Sequence, residues 1–148
     1  MQRRTFVLAA TAAIGMISLG LTTASAADSA LANCKCPISG KAVDAEKFSD
    51  YNGGKVYFCC GVCKGKFDKD STAFTAKANH QLVCSGQFAQ KACPLTGGKV
   101  KEGTEVDIAG VKVSFCCPNC KGKAAKATGD EQIKLVFGDA FAKGFAKK

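Results

Sequence analysis

The sequence predicts an α+β protein of two tandem small cysteine-rich units, each with a tight turn, a β-hairpin and one or two helices. Three observations support this prediction. A segment recurs 57 positions later without an insertion, ten cysteines occur among 148 residues, and short runs of alternating apolar and polar residues flank glycine-containing turns. Units of this size bury little surface, so the cysteines are expected to stabilise them as metal clips or as disulfides.

Residues 1–26 have the pattern of an export signal. Arg3 and Arg4 precede an apolar run over 6–21, and small residues at 24–26 fit a signal peptidase, so cleavage is predicted after Ala26. The stretch 3–7 also resembles a twin-arginine signal, a route taken by folded proteins. The apolar run is shorter than the roughly 20 residues that a membrane span needs. We therefore expect a soluble mature protein without a membrane span, located in a bacterial periplasm.

The repeat defines the two units. The stretches 58–66 and 115–123 each place three cysteines within five residues and have two lysines close behind. Upstream, Cys36 aligns with Cys93, Pro37 with Pro94 and Gly40 with Gly97. An ungapped match of this length indicates a duplication, with units at 34–90 and 91–148.

Each unit begins with a turn and a hairpin. The Cys-Pro-x-x-Gly segments at 36–40 and 93–97 predict tight turns, because proline fixes one backbone angle and glycine permits an unusual one. Hairpin turns are predicted at 52–54 and 109–110, between the alternating runs. A short helix should then begin at each cysteine pair, with Pro118 suited to its first turn.

Each unit is predicted to end with an amphipathic helix. Apolar residues recur at every fourth position, namely Phe74, Ala78 and Leu82 in the first unit and Ile133, Phe137, Phe141 and Phe145 in the second. This spacing places them on one helical face, and we assign them to the core.

The spacing of the cysteines predicts two metal centres. It is C-x22-C-x3-C in both units, formed by Cys36, Cys59 and Cys63 and by Cys93, Cys116 and Cys120. One sulfur on a turn and two at a strand-to-helix corner is the arrangement by which small ribbons gather metal ligands. A tetrahedral ion needs a fourth donor, and we predict Cys60 and Cys117 for this role because they are the only other sulfurs that obey the repeat. Cys34 is the rival in the first unit, and an open or exchangeable position, such as water, is the other alternative.

The pattern resembles the TRASH and YHS families. The resemblance lies in Cys-Pro-x-x-Gly, the cysteine spacing and Phe-Cys-Cys-x-x-Cys, and it covers nearly all of the first unit and about half of the second, where Ala124 replaces the equivalent of Phe67. It implies treble-clef-like or zinc-ribbon-like units that sense, carry or sequester heavy metals. It also implies the six cysteines of the C-x22-C-x3-C pattern as ligands.

The donor set favours soft ions. Thiolates suit Zn(II), Cu(I) or a related ion, at about two per chain, and a metal transporter or acceptor protein is a candidate partner. Both methionines lie in the export signal, and His80 is the one histidine and is not favoured as a ligand. The net charge of +9 comes from scattered lysines, so no nucleic-acid partner is predicted. Nearby lysines and the helix N-terminus are expected to lower the pKa of Cys63 and Cys120.

The sequence predicts no enzyme, because it lacks a serine, histidine and carboxylate combination and a glycine-rich phosphate loop. The C-x-x-C segments at 60–63 and 117–120 leave a thiol-disulfide oxidoreductase as an alternative. A structural zinc module that docks to a partner and an all-disulfide framework are two more. In a mixed state, the repeated cysteines bind metal while Cys34 and Cys84, replaced by Lys91 and Phe141 in the second unit, form one disulfide.

Overall fold

The computed structural model describes residues 31–148, and the predicted export signal lies outside this range. The elements in order are β1 (Asp44–Tyr51), β2 (Gly54–Phe58), α1 (Gly61–Lys69), a 3-10 turn (Thr72–Phe74), α2 (Thr75–Cys84), β3 (Phe88–Gln90), β4 (Val106–Ile108), β5 (Val111–Val113), α3 (Pro118–Lys126), α4 (Gly129–Phe137), α5 (Phe141–Gly144) and β6 (Phe145–Lys147). Over residues 31–148 the strands form antiparallel pairs β1–β2, β4–β5 and β3–β6. The fold is therefore mixed, with small sheets and helices, and none of the helices described is long and apolar enough to cross a membrane.

The two predicted hairpins are present. The β1–β2 turn has Asn52 and Gly53 at φ values of 51° and 77°, and the β4–β5 turn has Ala109 and Gly110 at 50° and 85°. Two successive residues with positive φ fit the twist of adjacent antiparallel strands, which is why Asn-Gly favours such turns. Each hairpin brings the cysteine corner that follows it back to the turn that precedes it.

The helices after the cysteine pairs begin where the sequence predicts. Cys60 and Cys117 are the extended N-cap residues of α1 and α3, and Pro118 occupies the first turn of α3. Cys63 and Cys120 therefore lie one turn inside their helices, and both are buried. The corner thus presents one half-buried sulfur at the helix start and one buried sulfur on its inner face.

The prediction of one closing helix through Phe145 is wrong. Helix α4 ends at Phe137, because Gly138 leaves the helical conformation and a Cβ at this position would collide with the carbonyl oxygen of Lys134. The chain continues through α5 into β6, which pairs with β3. The core assignment is nevertheless confirmed for Phe137, Phe141 and Phe145, which are buried. The ring centroid of Phe145 lies 5.2 Å from that of Phe137 and 5.3 Å from that of Phe141.

One hydrophobic core joins the two units. Its members include the strand residues Val56, Phe58, Val113 and Phe115, all fully buried. Helix α2 packs against α4, and the side-chain amide of Asn79 on α2 donates a 2.8 Å hydrogen bond to the carbonyl oxygen of Phe137. The two repeats are therefore packed into one body over residues 31–148.

Glutamine side chains pair with the open edges of the hairpins. The amide of Gln81 accepts from the backbone N–H of Tyr57 and donates to its carbonyl, at 2.6 and 2.8 Å. In the second unit, Gln90 makes the same two bonds with Ser114, at 2.9 and 2.5 Å. Tyr57 and Ser114 immediately precede the Phe-Cys-Cys segments, so these amides fix the strand ends that carry the cysteine corners.

Candidate metal centre

The structure gathers thiols into two triads of the same composition. Within each triad, every sulfur lies within 4.8 Å of the others, and the members are Cys36, Cys59 and Cys63 in the first and Cys93, Cys116 and Cys120 in the second. We call these sets triad 1 and triad 2. Each joins one sulfur from a turn with two from a strand-to-helix corner, so residues 23 positions apart in the sequence become neighbours.

Backbone hydrogen bonds hold the turn cysteines. The N–H of Cys36 donates to the carbonyl of Lys41 at 2.8 Å, and the N–H of Gly40 donates to the carbonyl of Cys36 at 2.9 Å. Around Cys93, the corresponding bonds to Gly98 and from Gly97 measure 2.8 and 2.7 Å. The closing glycines have φ values of 70° and 75°, a conformation that glycine adopts without steric cost.

The sulfur spacing fits a tetrahedral thiolate centre. Zinc binds thiolate sulfur at about 2.3 Å, so tetrahedral geometry places two ligand sulfurs about 3.8 Å apart. The Sγ atoms of Cys59 and Cys63 are 3.7 Å apart, and those of Cys116 and Cys120 are also 3.7 Å apart. The corner pair of each triad is therefore already at the separation that metal binding requires.

Three further thiols were candidates for a fourth donor. Cys60 Sγ lies 3.7 Å from Cys59 Sγ, and Cys117 Sγ lies 3.7 Å from Cys116 Sγ. Both are half-buried and stand beside the triads without belonging to the sets of mutually close sulfurs. Cys34 instead contacts Cys84, with 2.6 Å between their sulfurs.

The turn thiols ionise more readily than an ordinary cysteine. Burial opposes ionisation of Cys36, but the Ser39 hydroxyl and several backbone N–H groups outweigh it and lower the pKa of Cys36 to about 7. Burial likewise opposes ionisation of Cys93, and the Thr96 hydroxyl and nearby N–H groups lower its pKa to about 7. A turn thiolate is therefore accessible near neutral pH, and thiolate is the form that binds metal.

The prediction that the pKa values of Cys63 and Cys120 are lowered is wrong. Burial, followed by the neighbouring thiols, raises each pKa to about 12 in the metal-free chain. Lys64 and Lys121 are directed elsewhere, because Lys64 pairs with Asp68 at 2.7 Å and Lys121 donates to the carbonyl of Gly103 at 3.0 Å.

The effect of the helix N-terminus falls instead on the N-cap thiols. The backbone N–H of Cys63 lowers the pKa of Cys60, and that of Cys120 lowers the pKa of Cys117. Each corner therefore combines a half-buried thiol that ionises readily with a buried thiol that does not.

Sequence reasoning missed two hydroxyl groups at the triads. Ser39 Oγ lies 3.1 Å from Cys59 Sγ, and Thr96 Oγ1 lies 3.2 Å from Cys116 Sγ. Both residues occupy the same repeat position, so the recurrence of a hydroxyl inside each turn was the available signal. Each hydroxyl can donate to a sulfur and so stabilise its thiolate form.

His80 does not belong to either triad. Its Nε2 is 3.0 Å from the carbonyl oxygen of Ile108, and its ring meets the Phe137 ring edge-on at 5.0 Å. Burial is the main cause of its lowered pKa. The ring of His80, which extends from α2, therefore packs against residues of the second unit.

Comparison of the chain with models of known protein families, with curated proteins and with solved structures finds no match. The assignment of a function therefore depends on the geometry of the triads.

Proposed function

We propose that the protein binds two soft metal ions, one at each triad, and acts outside the cytoplasm in metal sequestration, transfer or resistance. The observation that carries this proposal is the convergence of three sulfurs in each unit, all within 4.8 Å of one another. Thiolates select soft or borderline ions such as Cu(I) and Zn(II) over hard ions, which prefer oxygen. The resemblance of the cysteine pattern to the TRASH and YHS families supports the same function.

The corner thiols favour exchange of the ion with a partner. Structural zinc sites are closed by four protein ligands, whereas a site with an exchangeable position can accept an incoming donor. Cys60 and Cys117 are half-buried beside the triads, so they can receive an ion from a transporter or pass one to an acceptor protein. Val62, which lies between Cys60 and Cys63, exposes 70% of its surface, so the corner of the first unit is open to solvent.

Metal counting on serine variants tests this proposal. We expect two ions per chain in protein purified without oxygen, one in Cys59→Ser or Cys116→Ser, and none in the double variant, because each change removes a ligand from one triad. Val62→Ser is the matched control, since it alters the same corner without removing a sulfur, and it should retain both ions. Two ions in both single variants would refute binding at the triads.

Removal of the metal separates carriage from a purely structural role. A carrier should release its ion to a chelator and remain folded, because the shared core includes many residues besides the thiols. A structural zinc module should instead unfold when the ion leaves. Circular dichroism and elemental analysis during chelation distinguish the two outcomes.

A thiol-disulfide oxidoreductase is the second candidate. The observation that favours it is the pairing, in each C-x-x-C segment, of a half-buried N-cap thiol with a buried thiol one turn further along the helix. In such a pair the outer thiolate would attack a substrate disulfide, and the inner thiol would release the product. Turnover in an insulin-reduction assay, abolished in Cys60→Ser/Cys117→Ser, would establish this activity.

A further inference from the structure

A second kind of cysteine pair lies outside both triads. Cys34 and Cys84 place their sulfurs 2.6 Å apart, whereas neighbouring sulfurs within the metal centres are 3.7 Å apart. A disulfide bond measures about 2.05 Å, so a small side-chain movement brings the two sulfurs to bonding distance. Cys34 is 2% exposed, while Cys84, the last residue of α2, is half-buried and open to a reactant.

This pair connects helix α2 to the segment that carries a ligand of triad 1. Cys34 precedes Cys36 by two residues, and the carbonyl of Lys35 between them accepts a 2.9 Å hydrogen bond from the side-chain amide of Gln81 on α2. A bond between Cys34 and Cys84 would add a covalent link at the same junction. The Cys36 turn would then be held against the helix on its N-terminal side.

The second unit holds its equivalent turn by other means. The segment before Cys93 contains β3, which pairs with β6, and the N–H groups of Lys91 and Ala92 both donate to the carbonyl of Gly144. The segment before Cys36 has no such strand within the described residues, where one bridge joins Lys35 to Ala42. The cysteine pair therefore occurs in the unit whose turn has the weaker backbone support.

We propose that Cys34 and Cys84 form a disulfide that holds the Cys36 turn in place and makes metal binding at triad 1, but not at triad 2, depend on the redox state of this pair. The metal-binding part of this inference rests on the proposed function. The disulfide itself does not.

The oxidation is a thiol-disulfide exchange with an external disulfide, such as oxidised glutathione. The Cys84 thiolate attacks one sulfur of the oxidant, which forms a mixed disulfide and releases one thiol. The Cys34 thiolate then attacks Cys84 Sγ and releases the second thiol. Two cysteine thiols lose two electrons and two protons, and the oxidant disulfide is reduced to two thiols.

The disulfide raises the affinity of triad 1 for metal because it orders the Cys36 ligand before the ion binds. When the Cys36 segment is held in place, less conformational entropy is lost on binding. The apparent affinity for a ligand falls in proportion to the fraction of chains that have the binding-competent conformation. We therefore expect opening of the pair to weaken triad 1 about tenfold.

Thiol mapping tests for the bond without involving metal at either triad. The protein is isolated without reductant, unfolded in the presence of a chelator and an alkylating reagent, and digested. We expect eight alkylated cysteines of the ten and one linked pair of peptides containing Cys34 and Cys84. Alkylation of both residues would overturn the proposal, whatever the metal content of the protein.

Metal titration tests the coupling to triad 1. In a Cys93→Ser/Cys116→Ser/Cys120→Ser background, only triad 1 remains, and Co(II) serves as the probe through its thiolate charge-transfer absorption. Cys34→Ser, Cys84→Ser and the double variant should each weaken Co(II) binding about tenfold, because each loses the same bond. The same changes in a Cys36→Ser/Cys59→Ser/Cys63→Ser background should leave triad 2 unchanged.

The outcomes distinguish this inference from the proposed function. Failure of both triads to bind Co(II) would refute metal binding while leaving the mapped disulfide intact. If both triads bind Co(II), the coupling would be refuted by Cys34 and Cys84 substitutions that change the affinity of both triads equally or leave the affinity of triad 1 unchanged. Circular dichroism of each variant, together with reduction of the unsubstituted chain, separates a loss of coupling from a failure to fold.

Discussion

The two units keep the same sulfur geometry while the helix behind the sulfurs differs. In both units the corner sulfurs are 3.7 Å apart, and the turn hydroxyl lies 3.1 or 3.2 Å from the first of them. Yet the inner face of α1 carries Phe67, where α3 carries Ala124, and both residues are buried. The backbone of the turn and the corner, common to both units, therefore fixes the triads, whereas helix packing is free to vary.

The units differ most where they meet. His80 and Phe137 occupy the same repeat position, 57 residues apart, and their rings contact each other at 5.0 Å. Two equivalent repeat positions are therefore in contact where the units meet. The two positions carry different residues: the Phe137 ring packs against the His80 ring, and His80 also makes a hydrogen bond with the carbonyl oxygen of Ile108.

Substitution at this contact should have the largest effect. Phe137→Ala is expected to lower the free energy of unfolding by about 3–5 kcal/mol, because a fully buried ring leaves a cavity. His80→Ala should cost about 2 kcal/mol, since it removes one edge-on ring contact and one hydrogen bond. Urea unfolding of the metal-free protein measures both values, and a larger loss for His80→Ala would contradict this ranking.

The glutamines that pair with the hairpin edges provide a medium-sized test. Gln81→Ala is expected to lower the free energy of unfolding by about 2 kcal/mol and Gln90→Ala by about 1 kcal/mol, because Gln81 is buried and Gln90 is only half-buried. Hydrogen exchange should show faster exchange of the N–H of Tyr57 in the first variant and of Ser114 in the second. Gln132→Ala is the control, since its amide caps α3 and not a hairpin.

The turn hydroxyls should produce the smallest effect, seen as a pH shift. In the metal-free protein, Cys36 and Cys93 titrate near pH 7. Ser39→Ala removes a group that stabilises the thiolate, so it should raise the pKa of Cys36 and move half-loading of triad 1 with metal to higher pH. Thr96→Val should do the same at triad 2 alone.

Thiolate absorbance in the ultraviolet measures these titrations, and a shift at the unsubstituted triad would contradict the assignment. The lowered pKa of Cys36 also makes the stability of the folded protein depend on pH. The folded-state pKa of Cys36 lies below that of an unfolded cysteine, about 8.5. Its stabilising contribution is therefore present above pH 8.5 and is lost as the pH falls through about 7.

Local signals in the sequence were sufficient for much of the fold and for the triads. The turns at 36–40 and 93–97, the Asn-Gly and Ala-Gly hairpins and the helix starts at the cysteine pairs all follow from residues close together in the chain. The repeat then showed that one arrangement occurs twice, so the convergence of three sulfurs in each unit could be predicted before any contact was known.

Contacts distant in sequence account for what the sequence did not reveal. The strand β6 forms by pairing with β3, more than fifty residues away, so no local pattern around Phe145 predicts it. The pKa directions of the thiols likewise depend on burial and, for Cys36, on the backbone N–H of Cys59, which the hairpin brings to the turn.

The sequence by itself determined which sulfurs come together, because turn and corner geometry is encoded by neighbouring residues. The tertiary structure alone decided how each sulfur ionises and how the two units share a core. Those properties depend on the solvent removed and on the partners supplied by the rest of the chain, and no short segment contains that information.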